Sequence, residues 1–409
     1  MSLFSRMFGR KSATTNSFQS YALSQLGFDF WKGPTRSGVN ITTQSALYVP
    51  VVLAATRVLC EGTAQLPVLI KKIEIKNGLK HSIPAYDHPM WHLLRRNPNN
   101  WMSGYEFIEH LTLHAVLNGN GYAYKVRGLG DRVDELIPIS SDMCFPEQMP
   151  DYSIQYRVAD GKRIIGLIPQ SDMLHLRGPG WYPFLGMNII KKAAEAIGLA
   201  QTLQDQQSIL SGNGGRPSGI LNNKNKLSQD AVTSLRDAWV ERFGQGGTGG
   251  VAILDGDFDY KALTMTGVDQ QHLESREHQI AEVGRAMRVF PQMLMSGVDK
   301  NNSYASAEQF FIAHVKHSLG PWKARWEGAI NRDLLENDPN YESELDSTWL
   351  EMGTMNDRAE FYAKALGSGG TQGYLKPNEV RAREGYNPVE GGDEIPKPTS
   401  TPPSENKPQ

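Results

Sequence analysis

The pattern of hydrophobic and polar positions divides the chain into an α+β half followed by long helices. Apolar residues recur at helical spacing over residues 45–65 and 105–117, and Ser103 with Glu106 predicts a capping box before the second helix. Short segments rich in β-branched or aromatic residues, bounded by turns, predict strands. They are residues 66–71, 122–126, 133–139, 154–158, 163–167 and 173–176. Together these elements predict an α+β domain of about 145 residues, a common domain size.

The second half of the pattern begins with a long helix that precedes a small β-α-β unit. Apolar positions at i, i+3 and i+4 predict the helix over residues 187–210, and the glycines in 212–215 end it. The unit that follows has strands at residues 219–221 and 251–254 and a helix over residues 229–243. The pattern therefore predicts a small unit carried on a helix that is roughly 30 Å long.

The stretch after the β-α-β unit is the most informative part of the chain. A highly charged helix over residues 269–287 is followed by a stop, a polar hinge over residues 296–304, and a helical pattern over residues 305–336. Gly320 and Pro321 predict a kink or a break within the last helix, because proline lacks the N–H that a helix needs. A helix, a stop, a polar loop and a second long helix form a layout suited to lining a passage.

The charged helix admits two interpretations. Its apolar positions form only a narrow stripe, which consists of Leu273, Ile280, Val283 and Met287. In a monomer, this pattern is typical of a surface helix that packs along one seam. In a ring, the same helix would contact copies of itself, with opposite charges meeting at each interface. Taken without other information, the pattern favours the surface helix.

Composition and charge narrow the class of protein. With 39% hydrophobic and 21% charged residues, the 409-residue chain is typical of a folded globular protein with two or three domains. No apolar run approaches the roughly 18 residues needed to cross a bilayer, so no membrane partner is expected. Cys60 and Cys144 are the only cysteines, which favours a reducing cytoplasm. The net charge of −2 argues against a sequence-specific DNA-binding protein but not against a conduit in which DNA slides.

Candidate catalytic and metal-binding motifs are weak. The glycine-rich segment 244–250 lacks the final Lys-Ser/Thr of a phosphate-binding loop and is interpreted as a turn. His110 and His114 have the i, i+4 spacing of a zinc pair, but no third ligand is evident, so core or interface histidines are preferred. His314 lies on a charged helix and is expected to be solvated, and Ser368 lacks the context of a nucleophile. The sequence therefore predicts neither enzymatic activity nor a cofactor or metal.

A series of further motifs follows one order along the chain. The motifs are residues 51–67, 93–99, 117–124, 186–203, 212–221, 249–254, 280–294, 303–309, 378–381 and 391–393. In this order they resemble the portal proteins of tailed double-stranded-DNA bacteriophages, of the siphophage type. The resemblance covers about residues 45–395. One departure is Gln292, because family members often have a second proline after the position of Pro291.

The resemblance implies an α+β portal-protein fold made of eight successive parts. They are a flexible N-terminal arm (1–40), an α/β wing (41–186), a first stem helix (187–211), a β-α-β clip (212–268), a second stem helix (269–289), a tunnel-loop region (290–304), a long helix with the rest of the wing (305–375), and a crown with a disordered tail (376–409). A head-to-tail ring of such subunits needs two different complementary faces on each subunit.

The resemblance also implies a function without catalysis or cofactors. The chain would form a ring, most often of twelve subunits, at one capsid vertex, and double-stranded DNA would pass through it non-specifically during packaging and ejection. Its other partners would be the terminase large subunit, a head-tail adaptor or head-completion protein, and the major capsid protein. The ring would be located in the virion after assembly in the host cytoplasm. The alternative from another class is a cytosolic oligomeric scaffold unrelated to phage.

Two groups of contact residues are implied by the resemblance. The clip group, facing terminase and adaptor, consists of Arg236, Trp239, Glu241 and Arg242. An alternative for its polar members is that they connect neighbouring clips. The DNA-channel group, in the tunnel loop, consists of Lys300, Asn301, Asn302, Ser303 and Tyr304. There the lysine would touch phosphates without reading bases. Without the resemblance, this loop is interpreted as an exposed linker.

Overall fold

The computed structural model divides the chain into two compact units. It describes residues 35–161, 163–180, 182–212, 220–223, 228–230, 232–234, 236–237, 258–261, 268–295, 304–351, 355–367 and 372–396. The larger unit consists of Met1–Ser303 with Ala313–Asp346, and the C-terminal unit consists of Tyr304–Ile312 with Ser347–Gln409.

The first half of the larger unit alternates helices with antiparallel strands. Its elements are α1 (Thr43–Ala46), α2 (Pro50–Ala64), β1 (Val68–Lys76), β2 (Leu79–Pro84), α3 (Pro89–Arg95), α4 (Gly104–Asn118), β3 (Asn120–Arg127), β4 (Val133–Ile139), β5 (Cys144–Gln148), β6 (Ile154–Asp160), β7 (Arg163–Pro169) and β8 (Met173–Arg177). The capping box predicted for α4 is confirmed, since Ser103 Oγ accepts from the N–H of Glu106 while Glu106 Oε2 accepts from the N–H of Ser103 at 2.7 Å.

The remaining elements are mostly helical. They are α5 (Ile189–Lys192), α6 (Ala194–Gly212), β9 (Ile220–Asn223), β10 (Phe258–Lys261), α7 (Val268–Met287), α8 (Tyr304–His314), α9 (Gly320–Asp333), β11 (Tyr341–Leu345), α10 (Thr348–Glu351), α11 (Met355–Ala365) and α12 (Pro377–Arg383). Short 3₁₀ turns occur at Leu129–Asp131, Gln170–Asp172 and Pro291–Leu294, and a π-helical turn spans Val315–Leu319.

The described strands form four small sheets. Three have three strands, in the orders β11-β1-β2, β4-β3-β8 and β5-β6-β7, and the fourth pairs β9 with β10. Every pair in these sheets is antiparallel. Antiparallel sheets combined with segregated helices make an α+β fold, as the sequence predicts.

The core of the larger unit joins α9 to the first half of the chain. Trp326 is fully buried, its Nε1–H donates to Thr112 Oγ1 at 2.9 Å, and its ring centroid lies 6.4 Å from that of Phe107 on α4. β11 pairs with β1 in a register that places Val68 opposite Leu345. The core therefore combines α4 and β1, from the first half of the chain, with α9 and β11, which lie much later in the sequence.

The structure contains strands that the sequence pattern does not predict. They are β2, β5, β10 and β11, and β1 begins at residue 68 rather than 66 and continues to residue 76. All six residues of β2 are exposed, so no buried face imposes the alternation that marks a strand. The strand predicted at residues 251–254 lies outside the described residues. β9 pairs antiparallel with Phe258–Lys261, a strand that the sequence pattern does not predict.

Two predicted helices are each divided. Pro50 is the first residue of α2, so the helix predicted over residues 45–65 restarts there after Leu47–Val49. The helix predicted from residue 187 begins with α5, capped by Asn188, and is interrupted at Ala193.

The interruption predicted at Gly320-Pro321 takes the form of a π-helical turn. Here the N–H of Gly320 bonds to the carbonyl of Val315, one residue further back than in an α-helix. Pro321 has no N–H for the carbonyl four residues earlier, and a widened turn accommodates that loss without ending the helical conformation.

One further prediction is wrong. His314 is buried, at 7% exposure, rather than solvated, and burial lowers the pKa of its imidazole below the ordinary value. Within the part predicted as crown and tail (376–409), residues 390–394 form a turn that the buried side chain of Asn378 holds in place.

Candidate functional site

A pair of packed helices, α6 and α7, forms the candidate stem. The two helices contact each other, and Arg276 on α7 donates to Gln207 Oε1 on α6. On α7, Val283 and Met287 are buried at 0% and 4% exposure, whereas the charged residues from Glu274 to His278 are exposed. The described part of the predicted apolar stripe, Ile280, Val283 and Met287, is therefore at least partly buried, and charged residues on the same helix are exposed to solvent.

A small cavity lies between this helix pair and α2. Its volume is about 90 Å³, and it is lined by residues of all three elements, including Val51, Leu203, Gln279 and Ile280. Gln279 Oε1 is buried there and has no hydrogen-bond partner among the described residues. A buried acceptor without a partner costs stability, so this contact between the helix pair and α2 carries an unfavourable polar term.

The candidate clip is described only in part. Ile220 pairs with Lys261 in the β9–β10 sheet, and residues 229–230, 232–234 and 236–237 are helical. Arg236 is exposed and forms an ion pair with the neighbouring Asp237 at 3.2 Å. The other predicted clip residues, Trp239, Glu241 and Arg242, lie outside the described residues.

The candidate tunnel loop is bounded by two described elements. The 3₁₀ turn Pro291–Leu294 leads to Met295, which has a left-handed φ of 57° and is 90% exposed. The chain is described again from Tyr304, the first residue of α8. Lys300, Asn301, Asn302 and Ser303 lie outside the described residues, so their placement stays a prediction.

A buried polar network attaches the end of α9 to the β4-β3-β8 sheet. Asp333, at 5% exposure, accepts from the N–H of His175 at 2.9 Å and from the guanidinium of Arg332. Lys125 Nζ donates to the backbone carbonyl of Asp333 at 2.5 Å, and burial lowers the pKa of this lysine below its ordinary value. A cation at the last carbonyls of a helix also complements the helix dipole.

His175 is the centre of the network and is held neutral. Its Nε2 lies 3.0 Å from Asn120 Oδ1, and its Nδ1 lies 3.0 Å from Tyr156 Oη and 3.3 Å from Arg177 Nε. A nitrogen facing the Arg177 guanidinium must accept, so Nε2 carries the proton. Burial, and then Arg177, lower the pKa of His175 well below its ordinary value. Asn120 Oδ1 also accepts from the N–H of Gly186, which fixes the chain just before α5.

This polar network could not be predicted from the sequence. Lys125 lies 208 residues from Asp333 in the chain, and no motif connects the two positions. The only sequence signal is a lysine within an otherwise strand-like segment, which is more common at the surface. Sequence reasoning therefore misses these residues.

The histidine pair on α4 has no third metal ligand among the residues that the structure describes. The ring centroids of His110 and His114 are 4.6 Å apart, and His114 Nδ1 is 2.9 Å from Ser141 Oγ. Burial, together with His110, lowers the pKa of His114 to about 4. Within the described ranges, no group of three or more His, Cys, Asp or Glu side chains could hold a metal ion. Among the same residues, no helix combines the length and the hydrophobicity that crossing a lipid bilayer requires.

Comparison with known proteins agrees with this architecture. A family model described as phage portal protein matches residues 50–385. The portal protein of Enterobacteria phage HK97 is 27% identical over 360 residues, which cover 87% of this chain and 82% of the relative. A probable portal protein of Streptomyces phage phiC31 is 25% identical over 372 residues, covering 87% and 78%.

Solved structures show the same fold. A chain from the virion of a native gene transfer agent particle has a TM-score of 0.60 at 21% identity, covering 86% of this chain and 95% of that one. A phage portal protein of the HK97 family from Corynebacterium diphtheriae has a TM-score of 0.54 at 17% identity, covering 77% and 100%. Because the family model spans most of the sequence and the folds agree, the chain belongs to the phage portal protein family.

Proposed function

We propose that copies of this chain form a closed ring at one vertex of a capsid and that double-stranded DNA passes through it. The observation that carries the proposal is the α6–α7 pair, which has one buried stripe and one broad exposed charged face within a portal-family chain. In support, the neck of a native gene transfer agent particle was computed with C12 symmetry, and a chain in it has a TM-score of 0.59 at 20% identity. Twelve subunits are therefore expected here, located in the virion after assembly in the host cytoplasm.

The charge of the chain suits a conduit. Each copy carries a net charge of −2, so twelve copies carry 12 × −2 = −24. A basic wall would hold the phosphates of the duplex, whereas a weakly acidic one lets the duplex slide. Lys300 and the polar residues Asn301, Asn302, Ser303 and Tyr304 would make the few contacts with phosphate. Such contacts position DNA without reading its sequence.

The β9–β10 end of the stem is proposed as the docking surface for other proteins. Arg236 is already exposed there, and Trp239, Glu241 and Arg242 follow on the same predicted helix. The terminase large subunit would bind this end during packaging, and a head-tail adaptor or head-completion protein would bind it afterwards. The major capsid protein would contact the outer surface of the α+β part.

Charge reversals separate the channel role from the docking role. We expect Lys300→Glu to leave rings intact and to reduce the length or retention of packaged DNA, because a carboxylate repels phosphate.

The double reversal Glu241→Arg with Arg242→Glu should also leave rings intact and should instead reduce the number of heads that receive DNA. Ring integrity is measured by electron microscopy, and packaged DNA is measured by nuclease protection.

Lys300→Arg is the control for charge and should package normally. Heads made with Lys300→Glu that fill and hold DNA as the unaltered protein does would exclude Lys300 as a channel contact. Broken rings in the Glu241/Arg242 variant would instead show that these residues connect neighbouring clips.

A further inference from the structure

An exposed group of aromatic and basic side chains surrounds α3. We call Tyr86, Trp91, His92, Arg95 and Arg96 the arginine–tryptophan surface. The rings of Tyr86 and Trp91 meet edge to face with centroids 5.4 Å apart, and Arg96 Cζ lies 5.9 Å from the Trp91 ring centroid. Arg95 and Arg96 are exposed, and neither forms an ion pair with a described carboxylate. Two adjacent guanidinium groups are therefore available for a partner.

Trp91 lies at the centre of this surface and is partly buried. Its Nε1–H is buried beneath its neighbours and has no acceptor among the described residues. Tryptophan, tyrosine and arginine are also the residues that dominate binding energy at protein interfaces. The composition therefore favours a protein partner that presents acceptor oxygens.

The same chain exposes an acidic turn of complementary charge. Glu390, Asp393 and Glu394 are exposed, and none of them forms an ion pair with a described residue. Between them lie two glycines, of which Gly391 has a left-handed φ of 75°. We call Glu390–Glu394 the acidic turn.

The acidic turn is held in place by Asn378. The side chain of Asn378 donates to the carbonyl of Val389 at 3.0 Å and accepts from the N–H of Val389 at 2.8 Å, while its backbone N–H donates to the carbonyl of Gly392 at 2.9 Å. A Cβ added at Gly392 would collide with this side chain. This fixed conformation lowers the entropy cost of binding, because the turn that carries the carboxylates is already ordered before a partner binds.

We propose that the arginine–tryptophan surface of one copy receives the acidic turn of the neighbouring copy. The inference rests on the proposed ring, because a head-to-tail ring needs two different faces on each subunit that complement each other. Arg95 and Arg96 pair with carboxylates of the turn, an arrangement that can form two parallel N–H···O bonds per pair.

Charge reversal on each face, alone and together, tests the contact. The first variant carries Arg95→Glu and Arg96→Glu, and the second carries Glu390→Lys, Asp393→Lys and Glu394→Lys. Each variant should raise the subunit concentration that is needed to form rings by at least about tenfold. The combined variant should restore rings. Native mass spectrometry measures the ring fraction, and circular dichroism checks folding. The control variant carries Lys72→Glu and Lys76→Glu on the exposed β1–β2 hairpin. It changes the net charge by the same amount as the arginine reversal and should leave rings unchanged.

A crosslink gives a second measurement that does not depend on ring stability. With Arg96→Cys and Glu394→Cys in one chain, oxidation should produce a ladder of covalent oligomers, whereas either single variant should give at most dimers. The native Cys60 and Cys144 are buried and should not interfere.

Several outcomes would overturn the contact. They are rings that form normally in both reversed variants, a combined variant that fails to restore rings, and the absence of a ladder in intact rings. Normal rings in the arginine variant with a loss of DNA binding would assign the surface to nucleic acid instead. Unaltered protein that forms no rings would contradict the proposed function and this contact with it.

Discussion

Replacement of Trp326 by alanine is expected to lower the free energy of unfolding of the larger unit by about 3–5 kcal/mol, the usual cost of removing a buried tryptophan. The indole is fully buried against Phe107, so alanine leaves a cavity that the surrounding helices fill only partly. The change also removes the donor to Thr112 Oγ1 and leaves that buried hydroxyl without this partner. Chemical denaturation followed by circular dichroism measures the loss.

Trp101 offers a matched control because it lies in the same unit and is 55% exposed. Trp101→Ala should change the free energy of unfolding by no more than about 1 kcal/mol, as is usual for surface positions. Equal losses in the two variants would contradict the assignment of Trp326 to the core that joins α9 to α4.

The second large effect is expected for Asp333→Asn. The carboxylate accepts from the N–H of His175 and from two guanidinium nitrogens of Arg332. In asparagine, an NH₂ group replaces one carboxylate oxygen and faces N–H donors of the partners instead of accepting from them. Asparagine is also neutral, so the partly buried Arg332 loses its counter-charge. Breaking a buried ion pair in this way costs about 3–5 kcal/mol. The free energy of unfolding, measured as for Trp326, should fall by a similar amount.

Asp134→Asn is the control for the Asp333 variant. Asp134 forms its ion pair with Arg132 at 41% exposure, and such surface pairs contribute at most about 1 kcal/mol. If Asp333→Asn is as stable as Asp134→Asn, the network does not hold the end of α9 to β3 and β8.

Local signals explain the parts of the fold that the sequence predicts well. The start of α4 is predictable because Ser103 and Glu106 satisfy each other's backbone N–H groups within four residues. The strands β3, β4 and β6 to β8 are predictable because their β-branched and aromatic residues are bounded by turns. In each case the physical cause lies inside the segment itself.

Long-range pairing explains what the sequence does not predict. β11 is a strand because β1 supplies its partner, and a short segment such as residues 341–345 does not reveal a partner near residue 70. The charged helix predicts a solvated His314, yet this residue directly precedes the π-helical turn and is buried. The composition of residues 390–394 does not predict a fixed conformation, and hydrogen bonds with Asn378, on the preceding helix, help to supply one.

The candidate site also has parts that the sequence predicts and parts that it does not. Family motifs indicate the two stem helices and the hinge that follows the second of them, since these depend on residues near one another in the chain. The network of Lys125, His175 and Asp333 depends on contacts between residues up to 208 positions apart. It becomes visible only when the sheet and α9 are placed together.

The most direct test of the central claim is the assembly state of the purified chain. Electron microscopy and native mass spectrometry should show closed rings of about twelve subunits with a central hole that admits a DNA duplex, since a head-to-tail interface that closes produces a ring. Each subunit contributes 45.5 kDa, so the mass of the assembly reports the number of copies. Monomers or dimers alone, over a range of salt and protein concentration, would contradict the account.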